Sequence, residues 1–310
     1  MSADQVVPRH ASSVVLDMDF GIDDAMALLY LLRSDVEIVA IGTVHGNTTS
    51  ESAARNADQL LRVAGVDGIP IAQGADTPLL RELHVAAEVH GVDGIGGTSD
   101  GGSGQPNDES AAEQLVRLAR LRPDELTVLA TGPLTNLALA LELEPRLPAL
   151  LHSVVVMGGA VHAPGNITSF AEANIWHDPE AAQAVFGAFD TLTLVPLDLT
   201  HRAWLDGDAL GDVMSGTGPA LGDLVRRMLP QYIRFNESAN GRPGFPLHDP
   251  SAAVLLVHPG YAEYEQTGIS VGLDDEQRGA TRPGSGQRLV DVALLPRDDI
   301  VSEFTRVAFG

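Results

Sequence analysis

Residues 13 to 33 read SVVLDMDFGIDDAMALLYLLR. A short apolar run, Val14-Val15-Leu16, is closed by Asp17 and Asp19. Gly21 permits a turn, and from Asp23 a segment of helical length begins that is apolar nearly all round. A strand covered on both faces, followed by a buried helix, is the first half of a βαβ unit. The pattern recurs along the chain. EIVAIGTV (37–44), LTVLA (126–130), SVVVM (153–157) and TLTLVPLDL (191–199) read as strands, with helical patterns at 51–65, 109–122 and 134–143. Such alternation predicts an α/β fold with an open, mostly parallel sheet and helices on both faces. GISVGL (268–273) and RLVDVALL (288–295) flank a polar, Gly/Pro-rich stretch and predict a hairpin, which makes the sheet mixed. No repeat or linker divides the chain, so one domain is expected over 13–310, behind a loose tail at 1–12.

Composition narrows the function. The formal net charge is −23, which repels a phosphate backbone and argues against a nucleic-acid partner. No apolar run approaches the roughly 20 residues of a membrane span, and the N-terminal stretch has no secretory h-region. All 19 basic residues are arginine, which removes Schiff-base chemistry and the P-loop lysine. There is no cysteine, hence no thiolate zinc site and no cysteine nucleophile. A cytoplasmic location is the default expectation.

Asp17, Asp19, Asp23 and Asp24 crowd into eight positions. Acidic residues suit a helix N-terminus, so Asp23 as a cap and Asp24 as its first-turn neighbour explain two of them. A hard divalent cation with oxygen ligands explains more. An EF-hand is excluded, because the twelfth position from Asp17 is Leu28. Three further clusters carry candidate polar groups: PLHDPSAAVLL (246–256) with His248 and Asp249, GNITSFAEANIWHDPEAA (165–182) with Asn166, Glu172 and Asn174, and LATGPLTNLALAL (129–141), where Thr131 ends a strand. Each also has a plain reading as helix cap or turn. The glycine-rich loop GVDGIGGTSDGGSGQ (91–105) is expected to be mobile, either as a lid or as passive surface, and NGRPGFP (240–246) is a second breaker-rich stretch.

Taken in order, DMDFGIDDAMAL, GTVHGN, VHGVDGIGG, ATGPLTNLA, VVMGGAV, GNITSFAEANIWHDPEAA and LHDPSA resemble the nucleoside hydrolases, from about Ser13 to beyond Asp291. The resemblance implies a Rossmann-like nucleoside hydrolase fold and cleavage of the N-glycosidic bond of ribonucleosides. It implies a Ca2+ ion held by the carboxylates of Asp19, Asp24 and Asp249 and the backbone carbonyl of Thr131. Asp23 and Asn47 would meet the ribose diol, and Asn166, Glu172 and Asn174 the far side of the sugar. Asp17 would be structural. Relatives of this kind are often homodimers or homotetramers.

The chemistry agrees with that layout. Breaking the C–N bond builds positive charge on the ribose, which an acidic pocket favours. A bound cation acidifies water, and Asp19 is the expected base. The leaving base needs a proton, for which His248 and His90 are the candidates. Three departures stand out: Phe20 replaces a usual proline, Ala173 replaces a usual bulky aromatic, and 230–245 offers Tyr232, Phe235 and Asn236 where relatives often present tyrosines. Two rival classes are an aspartate-based phosphohydrolase with Asp17 as nucleophile, and a nucleoside or ribose binder without catalysis.

Overall fold

In a computed structural model, which describes residues 8, 11–102, 106, 108–207, 214 and 218–310, one sheet of nine strands organises the chain. Strands β1 (Ser13–Met18), β2 (Glu37–Thr43), β3 (Ile71–Gln73), β4 (Leu126–Ala130), β5 (Ser153–Met157) and β6 (Leu192–Val195) run parallel in the order β3-β2-β1-β4-β5-β6. A two-residue ribbon, β7 (Trp204–Leu205) with β8 (Phe245–Pro246), stands apart. The expected hairpin forms from β9 (Ala262–Val271) and β11 (Leu289–Pro296), and its long tip returns β10 (Thr281–Pro283) to the far side of β9. β11 then joins β6 in parallel. The sheet is therefore mixed and mostly parallel, as the alternation predicts.

Twelve α-helical segments lie among the described residues. The first six are α1 (Ile22–Leu31), α2 (Ser50–Ala64), α3 (Ala87–His90), α4 (Ala111–Leu121), α5 (Thr135–Leu143) and α6 (Leu147–Leu150). The others are α7 (Ala173–His177), α8 (Pro179–Ala188), α9 (Leu197–Thr200), α10 (Pro219–Asn240), α11 (His248–Val257) and α12 (Ile300–Phe309). The period-2 pattern of β1 sorts its side chains between two cores. Val14, Leu16 and Met18 face α1, α2, α10, α11 and α12, while Val15 faces α4, α5 and α8. All ten residues of α1 are buried, because the helix is enclosed by the sheet, α11 and α12. Leu28→Ala, at the centre of α1 and fully buried, should cost about 2–5 kcal/mol of unfolding free energy; a urea titration with unchanged slope checks it.

Four expectations need correction. The strand at 191–199 stops at Val195, because Pro196 cannot continue the ladder and starts α9. Residues 219–240, to which the sequence reading gives no element, form the longest helix described, with Pro230 inside it. β3 is also absent from that reading. The tail at 1–12 lies largely outside the described residues, but Ala11 is already packed into the first core and the Ser12 carbonyl accepts the Glu37 N–H.

Strand order places the site. The chain steps from β1 to β2 and β3 on one side and to β4, β5 and β6 on the other. In an open α/β sheet the crevice opens at the carboxyl ends of strands where the order reverses. Asp17 pairs with Ala130 across β1 and β4, so Asp19 and Thr131, just beyond those strands, flank that crevice.

Candidate active site

The four N-terminal aspartates do four different things. Asp17 turns toward α5, where Asn136 Nδ2 donates to it at 2.7 Å, and burial raises its carboxyl to about 6. Its carboxylate is taken up by Asn136 and does not line the cavity described below. Asp19 follows the strand end, and both its oxygens are held by Asn47, with the backbone N–H at 2.7 Å from Oδ2 and Nδ2 at 2.9 Å from Oδ1. Gly46 makes that fit possible: its φ is +152°, and a Cβ there would stand 2.0 Å from Asp19 Oδ2.

Phe20 then takes φ +35°, a value proline cannot reach. The turn therefore differs from a proline-bearing one, and the buried Phe20 ring packs into the first core. Gly21 caps α1, and Asp24 accepts the Gly21 N–H at 2.7 Å. The capping contact thus belongs to Asp24, not to Asp23. Thr131 Oγ1 donates to the other oxygen of Asp24 at 2.5 Å.

α11 starts at His248, so Asp249 enters in the first turn of a helix far along the chain. Oxygens of Asp23, Asp24 and Asp249 lie within 4.8 Å of one another, all buried. This trio differs by one from the expected ligand set, with Asp23 where Asp19 was expected. Asp19 lies against Asp24, whose charge helps hold its carboxyl well above the usual carboxylate range, after burial itself. Burial, then the Asp23 charge, lifts Asp24 to about 7. Asp249 is raised by burial first and then by Asp23, Asp24, Asp19 and Glu172. Asp23 Oδ1 and Asp249 Oδ2 have no hydrogen-bond partner. A buried charge left uncompensated costs about 3–5 kcal/mol, and buried carboxylates pressed together, two of their oxygens without a donor, are the hard-oxygen set that a divalent cation satisfies. Asp249 as a plain cap is not what the fold builds, since α11 has no side-chain cap bond.

Across the crevice, Glu172 caps the short α7 by accepting the N–H groups of Asn174 and Ile175, and it also accepts Gly159 N–H. The cap reading is correct as geometry, yet Glu172 remains on the cavity wall, and burial raises its carboxyl. Asn174 Nδ2 donates to the Thr131 carbonyl at 2.8 Å and so ties α7 to the end of β4. Asn166 accepts Ala173 N–H at 3.0 Å. Ala173, small where an aromatic was usual, lines the cavity too.

His90 sits at the end of α3, its ring tilted against Tyr232 with centroids 5.3 Å apart. Its Nδ1 accepts Ile22 N–H at 3.1 Å, which leaves the ring proton on Nε2. The glycine-rich loop that follows is tied down where it is described. The Asp93 carboxylate accepts N–H groups of Ile95, Gly97 and Ser99, and Gln59 clasps Thr98 and Asp100. Residues 91–102 are thus a hydrogen-bonded loop rather than one without internal ties, and 103–105 lie outside the described residues. His248 Nδ1 meets Thr200 Oγ1 at 2.8 Å, and burial, with His201 and His90 nearby, lowers its pKa to about 3.

These groups share one cavity of about 530 Å³, within the usual range for a small-molecule site. Asp23, Asn47, His90, Thr131, Asn166, Glu172, Asn174, His248 and Asp249 line it, whereas Asp19 and Asp24 lie behind the wall. Tyr232, whose hydroxyl is 3.3 Å from Asp23 Oδ2, projects from α10 beside Phe235 and Asn236. The sequence reading missed His177, His201 and Glu88, which also line the cavity. Glu88 and His201 stand outside the quoted motif blocks, and His177 lies within one of them, at 165–182, where the polar residues Asn166, Glu172 and Asn174 drew the reading instead.

The family model for inosine-uridine preferring nucleoside hydrolases matches residues 14–298. The chain is 37% identical over 271 residues to the probable uridine nucleosidase 2 of Arabidopsis thaliana, covering 84% of each. It is 36% identical over 265 residues to the inosine-uridine preferring nucleoside hydrolase of Crithidia fasciculata, covering 84% of this chain and 83% of that one. Among solved structures, a plant nucleoside hydrolase superposes with a TM-score of 0.92 at 32% identity, over 96% of this chain and 99% of that one.

Proposed function

The chain belongs to the inosine-uridine preferring nucleoside hydrolase family, and from that premise we propose how its pocket residues divide the work. The enzyme is a hydrolase of N-glycosyl compounds that cleaves ribonucleosides to ribose and free base. The observation that carries the finer reading is the meeting of Asp24 with Asp249, 225 positions later, around oxygens that lack partners.

The donor set fits a calcium ion: all oxygen, buried, and with no arginine among the described lining residues. Asp19, Asp24 and Asp249, with the Thr131 carbonyl, would hold it. When bound, calcium lowers the pKa of coordinated water and offsets the crowded negative charge. Asp23 and Asn47 hold the ribose diol, and Asn166, Glu172 and Asn174 the remaining hydroxyls. Asn47 fixes the Asp19 carboxylate, so the base meets its water in one orientation. Asp19 takes the proton as the water oxygen attacks C1′. Asp23 and Glu172 favour the positive charge that develops on the ring.

The leaving base takes its proton from the histidine side of the pocket. His248 is the main candidate and His90, with its proton on Nε2, is the second. Burial lowers the affinity of both rings for a second proton, so either ring takes up the proton it passes on only as negative charge develops on the departing base. His248→Ala should lower kcat/KM for natural nucleosides by about a hundredfold or more. It should change p-nitrophenyl riboside turnover only a few-fold, because that leaving group departs unprotonated. Equal losses on both substrates would remove the acid role.

Assembly into dimers or tetramers and a cytoplasmic location belong to the same proposal and rest on the resemblance and composition. No helix among the described residues is long and apolar enough to cross a membrane. Relatives' names differ in the base they specify, from uridine to inosine-uridine. Initial-rate base release across common ribonucleosides, with and without a chelator, tests the reading: turnover must appear and must need the cation.

A further inference from the structure

The pocket wall is negative, and among the described residues no arginine lies on it. Asp23, Glu172 and Asp249 line the cavity, and the exposed Glu88 of α3 stands at its rim. No described lining residue is arginine, and the chain has no lysine. Burial lowers His177 to about 4 and also lowers His201, so neither adds positive charge near neutrality. A calcium ion on Asp19, Asp24 and Asp249 would offset two of their charges and leave Asp23, Glu172 and Glu88 unmatched. The same wall carries aromatic faces, with Tyr232 buried and Phe235 37% exposed. Aromatic faces attract cations by about 0.5–2 kcal/mol, and clefts lined by one sign of charge concentrate ligands of the other. A neutral nucleoside feels this field only once charge develops on its ribose, after it has bound, whereas a cationic one is attracted from solution.

We propose that the enzyme also hydrolyses ribonucleosides whose base carries a quaternised, positively charged ring nitrogen, and that Glu88 draws them to the pocket. The proposal rests on the nucleoside hydrolase reading of the cavity. The step balances without a proton donor. The C1′–N bond breaks, and its electron pair goes to the ring nitrogen and cancels the positive charge. The water oxygen bonds to C1′, and its proton passes to Asp19 and then to solvent. The products are neutral base, ribose and one proton, so the histidine side of the pocket is not needed.

The experiment compares 7-methylguanosine, assayed below neutrality where its N1 proton is retained, with guanosine as a neutral near-isostere and uridine as a second control. Wild type and Glu88→Gln are each measured at low and high salt. The methylated base leaves more readily in any enzyme, so salt dependence, not absolute rate, is the readout. For 7-methylguanosine, kcat/KM should fall about three- to tenfold with added salt, as screening predicts for an attracted cation, and the neutral nucleosides should change less than about twofold. Glu88→Gln should lower the low-salt value for 7-methylguanosine about two- to threefold and flatten its salt slope, with neutral substrates unchanged. If the neutral nucleosides are cleaved and 7-methylguanosine is not, or if its rate ignores both salt and Glu88→Gln, the proposal is overturned. If no nucleoside releases its base, the reading beneath it falls as well.

Discussion

Asp19→Asn should lower kcat by about two to four orders of magnitude, the usual worth of a positioned general base, and leave the protein folded. The carboxylate is fully buried, gripped at both oxygens by Asn47 and pressed against Asp24. An amide keeps its shape but cannot take a proton. Stability should hold or rise slightly, because one of several mutually repelling buried charges is gone. Circular dichroism and a denaturant titration check the fold beside the kinetics. A variant that keeps most of the wild-type kcat would remove Asp19 as the base.

Chelation should have an effect of similar size. Removing the cation leaves burial and mutual repulsion to raise the Asp24 and Asp249 carboxyls, against which Asp24 keeps only its bonds from Gly21 N–H and the Thr131 hydroxyl. Such groups hold their negative charge less readily, and they no longer present a substrate diol in a fixed pose. Turnover should fall to background and the unfolding temperature should drop. Calcium returned at a hundred times its dissociation constant should restore about 2.7 kcal/mol of stability, together with the lost rate. A chelated enzyme that works at full rate would mean that the carboxylates serve without a cation.

Much of the fold was legible because burial on both faces leaves a plain signature. β1, β4 and β5 are short apolar runs whose bounds match the sequence pattern almost to the residue. α10 was not read, although its buried residues Leu221, Leu224, Val225, Met228, Leu229, Tyr232 and Asn236 follow a helical period. Pro230 and the breakers after Asn240 masked that period. The 91–102 loop misled in the opposite sense: its glycines suggested freedom, but the Asp93 carboxylate binds three of its amides.

In the site, spacing brought the right segments together, since Asp23, Asp24, Thr131 and Asp249 share one crevice. It could not decide which neighbouring carboxylates would approach closest. That depends on Asn47 holding Asp19 back and on the turn at Phe20, neither of which a one-dimensional pattern records.

The most direct test of the central claim is a crystal structure of the enzyme grown with calcium, with anomalous scattering used to locate the ion. The account predicts a peak bounded by Asp19, Asp24, Asp249 and the Thr131 carbonyl, at about 2.3–2.6 Å from each. Clear density for those side chains with no peak among them, and Asp249 turned away from Asp24, would contradict it.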